Sequence, residues 1–484
     1  MKIRGKIISL AFVFFFFEEA IAKASPLDIM KGISISGQST LIYQSSNLDL
    51  EVGDLKNANG TNLTAAQLQP FDHGEGTGSF SADLVVEKRF NEDEFVKIDF
   101  QIASGLGVDA SLQGGAMANN DIMEDPNNRG EVYLARAFYE KTIRFDDRRI
   151  VLDIGKFAVN DYFDVGRENS DQTTQFLNQA IVNNGAFDFE QGLDGRGYTY
   201  GIRAGFGNDF LQLDLGFFSP HAQLNNIIDN NSIIAGLSIM PNIAGNDGVY
   251  QFYVFQNRGE YAAFDQSGNL LTINANLINT PANTDNLNKN GFGVSATQAL
   301  SDKINMFAKY GKQDDDRDVR NYNDKDESYM VGANFSGKFW SRIDDEIGVA
   351  YQVGRLTGNH RKAHEKGYSG LFDRSGGVGV GNYGDESVFE VYYRYALSGN
   401  SSISIDAQHI SNFYYSKVIG DAQFYAGRFN VNYKSLTVSF TPTVSSRCVS
   451  ERPLVTHAVS STPHGVIHSP QCHLEPLGER SFVN

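Results

Sequence analysis

The stretch Phe210-Leu211-Gln212-Leu213-Asp214-Leu215-Gly216-Phe217 decides the fold of this chain. Its odd-numbered positions from 211 onward are apolar, whereas Gln212, Asp214 and Gly216 occupy the even positions. Successive side chains of a β-strand point to opposite faces, so this order predicts a strand with one apolar and one polar face. Residues 95–102 repeat the pattern, with Lys97, Asp99 and Gln101 on the polar side.

The first 24 residues have the features of a targeting sequence. Three basic residues precede an apolar run at 7–17, and Ala22-Lys23-Ala24 has the small-x-small order of a cleavage site. The apolar run is too short for a permanent membrane helix, which needs about 20 residues. The sequence therefore predicts a secretory signal peptide at 1–24.

The composition of the exported part narrows the class of protein. No later segment has the roughly 18 consecutive apolar residues of a membrane helix, so the chain is either a soluble exported protein or a β-barrel. The chain has 48 Gly, 35 Phe and 22 Tyr, which favours long strands and aromatic girdles, and its mean hydropathy of -0.32 suits a barrel with a wet interior. The net charge of -17 argues against nucleic-acid binding.

Alternating stretches recur along the body of the chain, joined in turn by tight polar turns and long polar loops. A soluble sandwich would have shorter strands and no such asymmetry, whereas short turns on one rim and long loops on the other are typical of outer-membrane barrels. The predicted strands are 33–44, 79–90, 94–104, 131–144, 148–157, 197–207, 210–219, 248–257, 290–300, 303–312, 328–339, 345–356, 387–398, 401–410 and 422–433, with a sixteenth candidate at 434–440.

These observations together predict an all-β fold, a transmembrane antiparallel up-and-down β-barrel of about 16 strands with short periplasmic turns and long extracellular loops. An even strand number is expected of a single-chain bacterial barrel, and 16 to 18 strands leave an aqueous channel. The barrel is predicted to occupy residues 25–440. The predicted location is the cell outer membrane of a Gram-negative bacterium.

The last residues, 441–484, break the pattern. They hold both cysteines, Cys448 and Cys472, and five of the eleven prolines, and they show no alternation. We expect this tail to lie outside the barrel, either as a disordered extension or as a stretch translated out of the original frame.

Several motifs carry more than alternation. After a predicted strand come Gly155-Lys156-Phe157, Asn160–Asp164, Asn169-Ser170-Asp171 and Gln175–Asn178, a series that resembles the G-K-[FL]…D-x-F-D…N…F-[ML]-N segment of the carbohydrate-selective porins (OprB type). Two later strands resemble that family's E-x-x-Y and P-D-x-Q-Y-I pair: they contain Glu390, Tyr392 and Arg394, then Asp406 and Gln408. The second strand departs from the family pattern at Ile405 and His409, where the family tends to have Pro and Tyr.

The resemblance implies a monomeric or loosely associated barrel through which sugars diffuse down their gradient. A pore must replace some of the water around sugar hydroxyls with side-chain donors and acceptors, and its binding must stay weak enough to release the solute. The segment 156–178 follows a strand directly, so it is a candidate constriction loop, with an external polar loop as the alternative. The substrate or pore-lining candidates are Arg136, Glu140, Lys156, Asp161, Asp164, Asn169, Asp171, Gln175, Asn178, Glu390, Tyr392, Arg394, Asp406 and Gln408.

The predicted function is an outer-membrane porin for passive, carbohydrate-selective diffusion into the periplasm. A general or ion-selective diffusion porin is the alternative, because acidic and basic residues face each other across the lumen in both. An adhesin or a barrel enzyme is a more distant alternative, and no enzyme activity is predicted.

No cofactor or metal is predicted. The expected partners are small sugars, outer-membrane lipid and lipopolysaccharide, with no nucleic acid; the sequence does not distinguish a monomer from a trimer.

Overall fold

The computed structural model describes most of the predicted body of the chain. The described residues are 32–47, 77–105, 130–166, 168–187, 197–219, 227–228, 230–259, 263–269, 287–317, 325–366, 382–417, 420–438 and 459–460. The predicted signal peptide lies outside them, as does the tail apart from Val459–Ser460.

Within the described part of the chain, sixteen long strands run up and down in chain order. Because apolar and polar residues alternate along them, one face of the sheet is apolar and the other face is polar. The strands are β1 Ile33–Ser46, β2 Thr77–Asn91, β3 Glu94–Ser104, β4 Tyr133–Phe145, β5 Arg148–Ala158, β6 Tyr198–Gly207, β7 Leu211–Phe218, β8 Asn231–Ile239, β9 Asn246–Gly259, β10 Leu287–Ala299, β11 Ile304–Gln313, β12 Glu327–Ser336, β13 Glu346–Arg355, β14 Glu386–Ser398, β15 Ser401–Ser411 and β16 Ala422–Val438.

Each long strand pairs antiparallel with its neighbours in sequence, and the sheet closes on itself. The first strand, β1, pairs with β2 on one side and with β16 on the other, with Gly37 opposite both Leu84 and Tyr433. Closure leaves no unpaired sheet edge, which is the condition for a sheet to cross a membrane. The fold is therefore a closed antiparallel barrel of sixteen strands, and the predicted fold class is confirmed.

The two rims of the barrel differ in the length of their connections. Seven connections of two to nine residues, such as those at 92–93 and 399–400, join strands at what we call the short-turn rim. The other eight connections are ten to 39 residues long and join strand ends at the opposite rim, which we call the long-loop rim. Both ends of the strand sequence, Ile33 and Val438, lie at the short-turn rim.

The alternation seen in the sequence divides the side chains between the outside and the inside of the barrel. On β7, Leu213 and Leu215 are 42% and 52% exposed, whereas Asp214 between them is 2% exposed and points inward. On β3, Phe100 is exposed while Asp99 and Gln101 are buried inside. On these two strands apolar side chains thus face outward, and polar side chains face the interior.

Two details of the predicted strand list are wrong. The nine-residue strand β8, Asn231–Ile239, falls in a stretch that the sequence pattern assigns to a long connection. Its inward positions include the apolar Ile234 as well as Ser232 and Gly236, so the contrast between its two faces is weak. The sixteenth candidate at 434–440 is not a separate strand, because β16 continues without a turn to Val438.

Short elements complete the described structure. There are two α-helices, α1 Gln179–Val182 and α2 Gly358–Glu365, and three 3-10 turns at Val159–Asp161, Gly337–Trp340 and Phe413–Tyr415. Two-residue strands occur at Asn242–Ile243 and Val459–Ser460, and the latter pairs with Thr437–Val438 at the end of β16. Among the helices of the described residues, none is long and apolar enough to cross a membrane.

Candidate functional site

The residues that follow β5 fold into the barrel instead of leaving it. We call residues 159–166 and 168–187 the inner segment. It makes side-chain contacts with strands as far apart as β1, β9, β11, β14 and β16. Inward-pointing side chains of all these strands can be reached only from the interior of the barrel. The inner segment therefore crosses the lumen.

The first part of the inner segment is fixed to the wall near β9 and β11. Phe163 is fully buried and packs edge-on against Phe218. The Oδ2 atom of Asp164 lies 3.0 Å from the Nζ of Lys309, and the side-chain oxygen of Gln251 accepts the backbone N–H of Asp164 at 2.7 Å. Burial raises the pKa of Asp164, and the Lys309 ammonium opposes that rise. This buried ion pair anchors the segment.

The second anchor lies at the start of α1. Asn178 is its N-cap, and its side chain accepts the backbone N–H of Ala180. The same side chain donates to Gln408 at 2.9 Å. The two oxygens of Glu390 accept the backbone N–H groups of Leu177 at 2.6 Å and of Asn178 at 3.0 Å. Both oxygens of one buried carboxyl group thus serve as acceptors for consecutive backbone N–H groups of the segment.

A third anchor connects the segment to β16. Arg428 donates two hydrogen bonds to Asp406, at 3.1 and 3.0 Å, and a third at 2.9 Å to the backbone carbonyl of Gln172. Close by, Phe176 packs edge-on against Tyr392 with ring centroids 4.9 Å apart. Arg428, Asp406 and Tyr392 are each at most 5% exposed. Polar and aromatic contacts together hold this part of the segment against the wall.

The wall from β1 to β4 carries a row of neighbouring polar side chains. Gln38, Asp83 and Gln101 lie directly opposite one another in the register of β1, β2 and β3. The two amide groups donate to the Asp83 carboxylate, from Gln38 at 3.1 Å and from Gln101 at 2.9 Å. Because their register places them side by side, these three residues form a continuous strip of donors and acceptors.

The row continues onto β4 through a guanidinium group. Arg136 lies opposite Asp99 in the sheet register and donates to it at 2.9 Å. It also makes two parallel hydrogen bonds, at 2.9 and 3.0 Å, to Asp161 of the inner segment. This is the fork geometry in which arginine binds a carboxylate most specifically. One end of the row is thus tied to the segment.

The other end of the row is tied to the segment as well. The single hydroxyl hydrogen of Thr173 lies between two acceptors, the side-chain oxygen of Gln38 at 3.2 Å and a carboxylate oxygen of Asp171 at 2.6 Å. The wall row and the inner segment are thus linked at Arg136 and again at Gln38. We call this set of side chains the polar ring; its members are Gln38, Asp83, Asp99, Gln101, Arg136, Asp161, Asp171 and Thr173.

The structure separates the sequence-predicted site residues into two groups. One group is buried and engaged in holding the interior together. Asp164, Asn169, Asn178 and Glu390 are each 3% exposed or less. In the same group the Lys156 ammonium donates to the Tyr133 hydroxyl and the Leu134 carbonyl, and the remaining members are Tyr392, Asp406 and Gln408.

The second group keeps contact with solvent. The side chains of Arg136 and Asp161 are 21% and 37% exposed, and both belong to the polar ring. Asp171 is partly exposed, and the side chain of Gln175 accepts its backbone N–H at 3.2 Å. Two further members lie on the wall outside the ring: Arg394, 3.9 Å from Glu346, and Glu140, opposite Asp153.

Five ring members are not among the sequence-predicted candidates: Gln38, Asp83, Asp99, Gln101 and Thr173. The alternation of β3 assigns Asp99 and Gln101 to a polar face but gives them no special place on it. Gln38 and Asp83 are ordinary polar residues, and only the strand register shows that they are neighbours. Thr173 lies within the segment 156–178 but is less conspicuous than its ionisable neighbours.

Among the described residues, no group of three or more His, Cys, Asp or Glu side chains could hold a metal ion.

Comparison with known proteins adds an independent observation. The family model described as carbohydrate-selective porin, OprB family, matches residues 79–433. A solved structure of Pseudomonas putida OprB at high pH is similar at 14% identity, with 83% of this chain and 94% of that chain covered and a TM-score of 0.62. A triple mutant of Rhodopseudomonas blastica porin is 8% identical, with 83% and 100% covered and a TM-score of 0.42. No curated protein sequence matches the chain.

Proposed function

Since this chain belongs to the carbohydrate-selective porin family, OprB, we propose that the polar ring is the constriction at which it selects sugars. A sugar-selective porin lets its solutes diffuse passively across the outer membrane. The family and the barrel fold are those of a channel rather than an enzyme, and they indicate a Gram-negative outer-membrane protein.

The observation that supports this assignment is that the inner segment is linked to the wall row at both Arg136 and Gln38. A sugar that passes between β1–β4 and the inner segment meets amide, carboxylate and guanidinium groups on neighbouring strands. Gln38, Asp83, Arg136, Asp161 and Asp171 keep partial exposure, so their donors and acceptors can replace part of the hydration shell of the sugar hydroxyls. The three wall anchors, around Lys309, Glu390 and Arg428, keep the opening at a fixed size.

The anchoring groups have a supporting function in this proposal. Asn178, Glu390 and Gln408 are buried beneath the segment, so they act by positioning it rather than by touching solute. Arg136, Asp161 and Asp171 are the predicted site residues that we assign to direct contact with sugar. The apolar outer face of the barrel would contact outer-membrane lipid and lipopolysaccharide.

The proposal is tested with purified protein in planar bilayers and in liposomes. We expect ion conductance that falls in a saturable way when glucose or an oligosaccharide is added, and liposome swelling that is faster with sugars than with amino acids of equal size. Conductance without sugar block would instead favour a general diffusion porin. No conductance from a folded barrel would overturn the channel assignment.

A further inference from the structure

The polar ring carries more negative than positive charge. Four of its eight members are carboxylates, namely Asp83, Asp99, Asp161 and Asp171, and Arg136 is its one cation. Arg136 binds Asp99 and Asp161 at the same time, so even this part of the ring holds two carboxylates for one guanidinium. This excess of negative charge lies where a passing solute would be closest to the wall.

The other two carboxylates have neutral partners in the ring. Asp83 receives hydrogen bonds from the amides of Gln38 and Gln101, and Asp171 receives them from the hydroxyl and backbone N–H of Thr173. Amide and hydroxyl donors stabilise a carboxylate but leave its full charge in place. Both groups keep partial exposure, so their field extends into the opening.

A second observation is that one carboxylate of the ring, that of Asp99, lacks a hydrogen-bond donor for one of its oxygens. The Oδ2 atom of Asp99 is bonded to Arg136, but its Oδ1 atom is buried and has no hydrogen-bond partner among the described residues. An ionised oxygen left without a partner is costly, and a cationic N–H group is the partner that it binds most strongly. The Arg136 guanidinium is already shared with Asp161 and does not supply that donor.

We propose that the polar ring prefers sugars that carry a protonated amine, such as 2-amino-2-deoxyhexoses, over neutral hexoses, and that it disfavours uronic acids. This inference rests on the proposed function, because it assumes that solutes pass through the ring. An ammonium group adds three donors and one positive charge to a molecule of hexose size, so it complements the negative charge of the ring. A uronate adds a carboxylate that the ring repels.

The test measures the entry of labelled glucosamine, glucose, N-acetylglucosamine and glucuronate into proteoliposomes at pH 6 and low ionic strength. An amine of ordinary pKa, about 8, is protonated at this pH. We expect glucosamine to enter roughly threefold faster than glucose or more, and glucuronate to enter more slowly than glucose. N-acetylglucosamine, which has no charge, should show no advantage over glucose.

The variant for the test is the double substitution Asp83→Asn and Asp171→Asn, judged by the glucosamine-to-glucose ratio within the same preparation. The ratio should fall toward one, because the substitutions remove the two ring charges that have neutral partners. Asp147→Asn, which changes an exposed acid on the short-turn rim, should keep the wild-type ratio. An unchanged ratio in the double variant would overturn the inference.

A salt series on the wild-type protein keeps the test decisive if the double variant does not fold. Raising the ionic strength from about 0.01 M to about 1 M shortens the Debye length from about 30 Å to about 3 Å, so the ratio should decline. A ratio near one at low salt, with sugars still entering, would refute the charge preference alone. Failure of every sugar to enter would refute the proposed function instead.

Discussion

The carboxylate of Glu390 on β14 accepts the backbone N–H of Leu177 in the inner segment at 2.6 Å, across 213 positions of sequence. Its second oxygen accepts the next N–H, that of Asn178. Two consecutive backbone groups at the start of α1 are thus satisfied by one wall side chain. Glu390 therefore determines how far this part of the segment stands from the wall.

Glu390→Gln should loosen the inner segment. Glutamine offers one oxygen where the carboxylate offers two, and its NH₂ group would face an N–H donor. A buried N–H group left without an acceptor costs about 1–3 kcal/mol, so the loss is large for a short segment. We expect a noisier and larger single-channel current with weaker sugar block. Glu365→Gln on α2, an exposed residue paired with Arg361, should leave the current unchanged; an effect of equal size there would contradict the anchor.

Arg136→Gln should change both ion selectivity and sugar block. The variant leaves Asp99 and Asp161 without their shared cation, so the ring gains negative charge and potassium should be preferred more strongly over chloride in reversal-potential measurements. We also expect the glucose concentration for half-maximal block to rise roughly tenfold, the equivalent of one charged hydrogen bond. Arg148→Gln on the exposed short-turn rim is the matched control. Altered selectivity with unaltered block would show that Arg136 does not contact sugar.

The barrel could be predicted from the sequence because its determinants are local. Strand alternation depends on neighbouring residues, and β3 and β7 display it plainly. The exception, β8, has Ile234 on its inward face, where it is 1% exposed and belongs to the same buried cluster as Phe163 of the inner segment. An apolar inward residue removes the contrast between the two faces of the strand, on which the prediction depends. The packing of Ile234 against the inner segment is therefore the reason that the sequence pattern does not predict β8.

The polar ring could be predicted only in part, because its members meet through long-range register. Gln38 and Asp83 are 45 positions apart, and Thr173 lies 135 positions from Gln38. Nothing local to any of them indicates that contact. Arg136 and Asp161, in contrast, are conspicuous through their charge. Whether a buried residue such as Glu390 faces solute or holds the segment depends on packing that the sequence does not display.

The buried pair of Asp164 and Lys309 should behave as one unit in a double-mutant cycle. Both side chains are at most 2% exposed. Lys309→Met leaves the Asp164 carboxylate without its cation, and breaking a buried pair costs about 3–5 kcal/mol. The double variant Asp164→Asn with Lys309→Met should recover much of that loss in urea unfolding from lipid vesicles. Additive effects of the two single substitutions would show that the pair does not anchor the segment.

Removal of the tail after Phe440 should leave barrel assembly intact. The closing pair of strands, β1 and β16, is complete before that point, and the described contact of the tail is the two-residue pairing of Val459–Ser460 with Thr437–Val438. Two residues of pairing contribute little beside the register that β1 and β16 share from Ser34 to Ser46. Assembly is read from the heat-modifiable mobility of the folded barrel on gels. Loss of the folded form would place the tail within the barrel.

Asp345 on the short-turn rim should make stability depend on acid pH. Burial opposes its ionisation, but hydrogen bonds from Arg342, Tyr393 and the Ala396 N–H hold the pKa of Asp345 well below its usual value. A pKa that is lower in the folded than in the unfolded state stabilises the fold fully above the unfolded value of about 3.9, and the stabilisation is lost as the pH falls from there toward the folded pKa. Urea unfolding at pH 6 and at pH 3 should therefore show a smaller free energy of unfolding at the lower pH.

Asp345→Asn should lower stability at pH 6 and reduce this difference, whereas Asp344→Asn, at the exposed neighbouring position, should preserve it. An equal pH dependence in all three proteins would exclude Asp345 as its source.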